Sequence, residues 1–327
     1  MYNKNSYRLA LLGQEGKFNC VKGAKSLPFT SHDKLTRFLI KANLKCSTNL
    51  KKLPKKGVII FDDTVIPKKY SKIIENCSYV YSSSDNKVVW GLCFILVIYV
   101  YKEKIDILDI IIWQKGVKTK NELIREYLIK LKENNLSPEC VIFDKWYNAH
   151  ETLNLLEKFQ WKYITLANGK RIFNTELNEL ENQCKTGDDK KIIYKKMHIK
   201  DYKFLGANGR FGKLKKVNHT VQIIKNGDRY ILTNILELLN SVKAWKLYQR
   251  RWVIETIFRD LKSFLHLDQC SSRSLKAQKN HIICCLEAYS YLRKKYPNKS
   301  VEAAHQEFLH KVRKLKPRQL NTFLNAA

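Results

Sequence analysis

Acidic residues are scarce in this chain of 327 residues. Thirty Asp and Glu stand against 61 Lys and Arg, a formal net charge of +31. Solubility alone does not call for so large a surplus, which points to a polyanionic partner. A lysine-rich composition from an AT-rich genome would also favour the many Ile and Asn, but it does not account for the missing acids. Zinc-type cysteine spacing is absent as well. The nine cysteines, at 20, 46, 77, 93, 140, 184, 270, 284 and 285, include no Cys-x2-Cys pair, which argues against a structural zinc site. Their odd number, with no signal-peptide pattern ahead of them, fits reduced thiols in a cytoplasmic protein. No apolar run reaches the roughly 20 residues of a membrane helix. Val88–Tyr101 is 14 residues long and bounded by Lys87 and Lys102, so it reads as a buried strand, and no membrane contact is expected. Internal repeats and low-complexity tracts are also lacking.

What is present is organised in five segments. Residues 1–56 hold 13 Lys and Arg against Glu15 and Asp33. They read as a basic helical segment, with Ser31 as the N-cap of a helix over 32–41 and a linker at Pro54. Residues 57–166 alternate strand and helix. Val58–Phe61 is an apolar run that stops at Asp62-Asp63-Thr64. Val88–Tyr101 and Ile105–Trp113 form a hairpin about Lys102-Glu-Lys104. A helix covers 120–134, Cys140–Phe143 is a strand that runs into Asp144, a helix covers 152–159, and Lys162–Leu166 is a further strand. Strand, hairpin, helix, strand, helix is the order of a ribonuclease-H-like α/β fold with a mixed sheet. Residues 167–233, rich in glycine and short β-prone runs, fit an inserted β-rich subdomain. Residues 234–270 contain a long helix from about Ser241 that completes the core. Residues 271–327 hold 12 Lys and Arg against three acids and form a second basic helical segment, suited to dimerisation or DNA binding.

The long helix carries the most informative stretch, Tyr248-Gln-Arg-Arg-Trp-Val-Ile-Glu255-Thr-Ile-Phe-Arg-Asp-Leu-Lys262. At 100° per residue, Tyr248, Arg251, Glu255 and Lys262 fall within a sector of about 60°, beside an apolar stripe of Ile254, Ile257, Leu261 and Leu265. An Arg–Glu pair on a solvated helix fits the spacing alone equally well. The pattern Tyr-x2-Arg-x3-Glu-x6-Lys, however, resembles the YREK box of DDE transposases of the insertion-sequence-4-like superfamily, and it fits without a gap. That resemblance requires two upstream aspartates at strand ends. Asp144 supplies one. Asp62 and Asp63 compete for the other, because adjacent strand residues point to opposite faces. The family pattern places an Asp immediately before Thr and selects Asp63, leaving Asp62 as a supporting or turn residue.

The resemblance covers about residues 57–265 and implies a ribonuclease-H-like catalytic core. Asp63, Asp144 and Glu255 would be both the catalytic residues and the metal ligands. Three close carboxylates repel one another unless cations sit between them. Two Mg²⁺ ions about 3.5–4 Å apart would relieve the repulsion and clamp an in-line phosphoryl transfer, with Mn²⁺ able to substitute. Tyr248, Arg251 and Lys262 would contact the DNA strand. Tyr230, Trp245 and Trp146 are aromatics near the strands concerned, each read first as core. The expected function is transposition: binding of terminal inverted repeats, cleavage, and transfer of a 3′-hydroxyl to target DNA, by a homodimer on double-stranded DNA. A nuclease of the same fold that does not join strands, and a DNA-binding derivative without catalysis, are the alternatives.

Overall fold

The computed structural model describes residues 4–25, 31–46, 48–69, 71, 73–176, 194–202, 204, 209–236 and 240–314. Cys184, Gly187, Gly206, the start of the β-prone run 191–194, and Lys316 and Arg318 in the basic C-terminal segment lie outside them. In chain order the elements are α1 (Lys4–Leu12), α2 (Cys20–Lys25), α3 (His32–Lys41), β1 (Val58–Pro67), β2 (Ser78–Ser82), β3 (Lys87–Tyr101), β4 (Lys104–Trp113), α4 (Lys120–Glu133), β5 (Cys140–Phe143), α5 (His150–Lys158) and β6 (Tyr163–Ala167). They continue with β7 (Ile172–Glu176), β8 (Tyr194–His198), β9 (Arg210–Leu214), β10 (Val221–Asn226), β11 (Arg229–Thr233), α6 (Ser241–Gln249), α7 (Trp252–Phe264), α8 (Leu275–Lys295) and α9 (Val301–Arg313).

β1 is the hub of the sheet. It pairs antiparallel with β3 from Val58↔Val100 to Pro67↔Gly91, and parallel with β5 from Val58↔Cys140 to Phe61↔Phe143. The other edge of β3 carries β4 and, at its start, β2. β6 adds parallel to β5. The strand expected to stop at Phe61 runs on to Pro67, because Thr64-Val65-Ile66 resumes the β-branched pattern and finds its ladder on β3. Asp62 and Asp63 therefore lie within a strand rather than at its end. Beyond β6 the sheet continues through β11, β10 and β9 to β7 and β8. The β-rich region thus extends the main sheet, with Tyr230↔Ala167 to Thr233↔Ile164 as the join.

Alternation along the strands sorts the core into two layers. Ile60, Phe94, Leu96, Ile98 and Ile142 face the layer of α1, α3 and α7–α9. Ile59, Phe61, Val97, Val141 and Phe143 face α4 and α5. The N-terminal helices belong to the first layer. The Tyr7 hydroxyl donates to Nδ1 of His281, 2.9 Å, and Asn280 donates to the carbonyls of Leu39 and Ala42, 2.7 and 2.8 Å.

The single long helix expected from Ser241 is two helices. At Arg250 and Arg251 the amides bond three residues back, to Leu247 (3.2 Å) and Tyr248 (3.0 Å). This tighter turn interrupts the α-helical ladder within the Tyr-Arg-Glu-Lys box. The eight described cysteines are free thiols. Among the described residues, no helix is long and apolar enough to cross a membrane.

Candidate active site

The parallel register of β1 and β5 brings the first two acids together. Ile60 pairs with Ile142 and Phe61 with Phe143, so one further step places Asp62 alongside Asp144, where β5 gives way to a 3-10 turn, Lys145–Tyr147. Ile60 and Ile142 face the α7 layer, and alternation turns Asp62 and Asp144 the same way.

From α7 and the turn before it come Arg251 and Glu255. The Arg251 guanidinium donates through Nη1 to Oδ2 of Asp62, 2.7 Å, through Nη2 to Oε1 of Glu255, and through Nε to the Tyr248 hydroxyl, 3.1 Å. One cation thus gathers two acids and a phenol. Burial raises the Asp62 pKa to about 7 against the pull of Arg251, and the neighbouring Asp63 and Asp144 push it the same way. Burial works against the Arg251 charge, but Tyr248, Asp62, Glu255 and Asp144 outweigh it and raise the pKa. Tyr248 is only 2 % exposed, and burial pushes its hydroxyl up to about 12. It braces Arg251 and does not line an open surface.

Asp63 is not part of this group. It projects from the other face of β1. There Oδ1 accepts from the Tyr147 hydroxyl, 2.7 Å, and Oδ2 pairs with Lys120 Nζ, 2.5 Å, with the Cys93 thiol 3.5 Å away. The structure therefore brings together Asp62, Asp144, Glu255, Arg251 and Tyr248, and leaves Asp63 behind the sheet. The pleat is the reason: successive residues cannot share a face, and the face is set by Ile60 and Phe61, not by proximity to Thr64.

Lys262 lies seven residues beyond Glu255 and is half-buried. Burial lowers its pKa, opposed by Asp85, Asp268 and Cys93 rather than by the acids of the site. Trp245 and Tyr230 are packed as expected, Trp245 beneath the Arg229 guanidinium at 5.2 Å and Tyr230 against Phe204 at 5.7 Å. Trp146 departs from its core reading and is 69 % exposed on the turn after Asp144. Sequence reasoning passed over Lys120 and Tyr147. Their only signals were a helix start after the capping box of Thr119 and Glu122, and a tyrosine three residues after Asp144.

Among the described residues, no group of three or more His, Cys, Asp or Glu is arranged to hold a metal ion; Arg251 stands between Asp62 and Glu255. The donors themselves are all carboxylate oxygens, the type that suits Mg²⁺. Placing a cation would also relieve the repulsion from Asp63 and Asp144 that adds to the effect of burial on Asp62.

Comparison with known proteins gives two kinds of match. A family model described as "Transposase DDE domain" matches residues 53–291. Among solved structures, the chain is similar to the piggyBac transposase in a synaptic complex with hairpin DNA, at 11 % identity and a TM-score of 0.50, over 98 % of this chain and 74 % of that one. It is also similar to the Drosophila P element transposase in a strand transfer complex, at 14 % identity and a TM-score of 0.30, over 94 % of this chain and 63 % of that one. The piggyBac likeness shows the fold, which is ribonuclease-H-like. No curated protein matches the chain.

Proposed function

We propose a function from one premise: the chain belongs to the transposase DDE domain family. It is a DNA transposase of the insertion-sequence-4-like superfamily, active in the cytoplasm as a homodimer on double-stranded DNA. It binds terminal inverted repeats, cuts phosphodiester bonds there, and joins the freed 3′-hydroxyl to target DNA. The observation that carries this reading is the parallel register that sets Asp62 beside Asp144, facing Glu255 across Arg251.

Asp62 replaces Asp63 in the proposed acid set. Asp62, Asp144 and Glu255 would hold the divalent ions. When bound, Mg²⁺, or Mn²⁺ in its place, supplies charge neutralisation and Lewis-acid activation for in-line phosphoryl transfer. Arg251, now paired with two carboxylates, has the planar fork that would take a phosphate of the bound strand. Tyr248 holds Nε of Arg251 and so sets the plane of the fork. Lys262, about 10 Å further along α7 by helix rise, adds a point charge for a more distant phosphate.

The test is incubation of the protein with the DNA ends that flank its gene, in Mg²⁺, with cuts and joints mapped. Asp62→Asn, Asp144→Asn and Glu255→Gln should each abolish cleavage and leave gel-shift affinity nearly unchanged. Cleavage near the wild-type rate in any of the three overturns the acid set. Cutting without joining would make the protein a nuclease of this fold.

A further inference from the structure

The face of β1 opposite the proposed active site carries its own polar cluster, and its connections lead back to Asp144. The β1–β5 ladder ends at Phe61↔Phe143, so Asp144 is placed by the turn it opens. Its carbonyl accepts from the Tyr147 amide, 3.0 Å, closing that turn. Tyr147 is fully buried, edge-on to Phe61 at 5.1 Å, and Phe61 stacks on Phe143 at 5.2 Å. Its hydroxyl donates to Asp63 Oδ1, 2.7 Å, and Lys120 Nζ pairs with Asp63 Oδ2, 2.5 Å. The residue after Asp62 is thereby tied to the residue three after Asp144. The start of α4 joins in twice: Lys120 holds Asp63, and Asn121 donates to the Trp146 carbonyl, 3.4 Å.

We infer that Asp63, Lys120 and Tyr147 form a clamp that positions Asp144 against Asp62 without touching DNA or the reacting atoms. The inference rests on the reading that Asp62, Asp144 and Glu255 carry the cleavage chemistry. Asp63 is then a positioning residue. Lys120 balances its charge, and the Tyr147 hydroxyl transmits its position to the turn. The packing of Phe61 and Phe143 holds the strands together whether or not that hydroxyl is present, so the clamp can be removed by a single atom.

Tyr147→Phe makes that removal. Single-turnover cleavage on saturating DNA should slow by about 10- to 100-fold, the scale of a misplacement of about 1 Å. Gel-shift affinity should stay within about twofold. The Mg²⁺ concentration for half-maximal rate should rise several-fold, with part of the rate recovered at high metal. Asp63→Asn should behave alike, and the double variant should be no slower than either single one, as for residues acting as a unit. Should Asp63→Asn fold poorly around an unpaired Lys120, Asp63→Asn with Lys120→Met removes both charges. A normal rate in Tyr147→Phe overturns the clamp. So does an Asp63→Asn enzyme that is dead at every metal concentration while Tyr147→Phe cuts normally, since that is the behaviour of a metal ligand. Hydrogen exchange at the Tyr147 and Asn148 amides gives a readout without catalysis. Faster exchange in Tyr147→Phe supports the clamp, and unchanged exchange overturns it, even if the wild-type protein cuts no DNA and the transposase reading itself fails.

Discussion

Asp62 and Asp63 are neighbours on one strand, and their side chains are equally exposed, 18 % each. Each is paired with one cation, Arg251 at 2.7 Å and Lys120 at 2.5 Å. Their surroundings differ in what the opposite element supplies. Asp62 meets two more acids, and the cation it shares is divided with Glu255. Asp63 meets a phenol that donates to it and a lysine that pairs with it. The first environment has more negative charge than its one guanidinium can satisfy and invites further cations. The second is saturated. Neither burial nor charge alone separates the carboxylate proposed to hold metal from the one proposed to be structural; the composition of the facing surface does.

Arg251 gives the sharpest way to break this comparison. Arg251→Ala should lower cleavage of bound DNA by about 10²-fold with little change in affinity, because its proposed role is to position a phosphate rather than to supply bulk attraction. Single-turnover rates and gel shifts on the same preparation decide it, and a normal rate would remove the reason to distinguish the Asp62 face from the Asp63 face. Lys262→Ala, whose electrostatic neighbours lie apart from the acids, should instead weaken binding and reduce the salt slope by about one.

A second, smaller contrast concerns the layers on the two faces. The Asp62 side packs against a layer holding three buried histidines, His281 on α8, His305 on α9 and His266 in the connection between α7 and α8, and burial lowers the pKa of each, His281 to about 3. His281 is satisfied as a neutral ring: Nε2 donates to the His266 carbonyl and Nδ1 accepts from Tyr7, both 2.9 Å. Folded values below the unfolded value of about 6.5 mean that the unfolded chain binds more protons. The stability is therefore whole above pH ~6.5 and is lost as pH falls toward ~3. Thermal unfolding from about pH 7.5 to about pH 4.5 should show the melting temperature falling, and His281→Gln should flatten that slope. An unchanged slope in the variant would mean that the acid sensitivity arises elsewhere, the Asp63 face included.

Much of this architecture was legible in the chain. The apolar runs around Val58, Val88, Ile105 and Cys140 mark strands because their β-branched residues suit a pleated, buried surface. The spacing from Tyr248 to Lys262 marks a helix with a polar face. Other features needed partners distant in sequence. β1 runs past its acids because β3 offers ten residues of ladder. The helix of the box breaks at Arg250 and Arg251, and Tyr248 turns inward to hold Arg251. Trp146 stays in solvent on a turn held from α4.

By itself, then, the sequence determined which residue types reach the centre of the sheet: two adjacent aspartates, a third after β5, and an Arg–Glu pair on a helix. Their identity and order follow from local pattern, which short-range periodicity records. Only the tertiary structure decided which of Asp62 and Asp63 joins the others. A strand shows both faces equally until helices cover them, and α7 lies over the face shared by Ile60 and Ile142. That choice is made by packing between segments far apart in the chain, as in the bond from Arg251 to Asp62, and no local spacing encodes it.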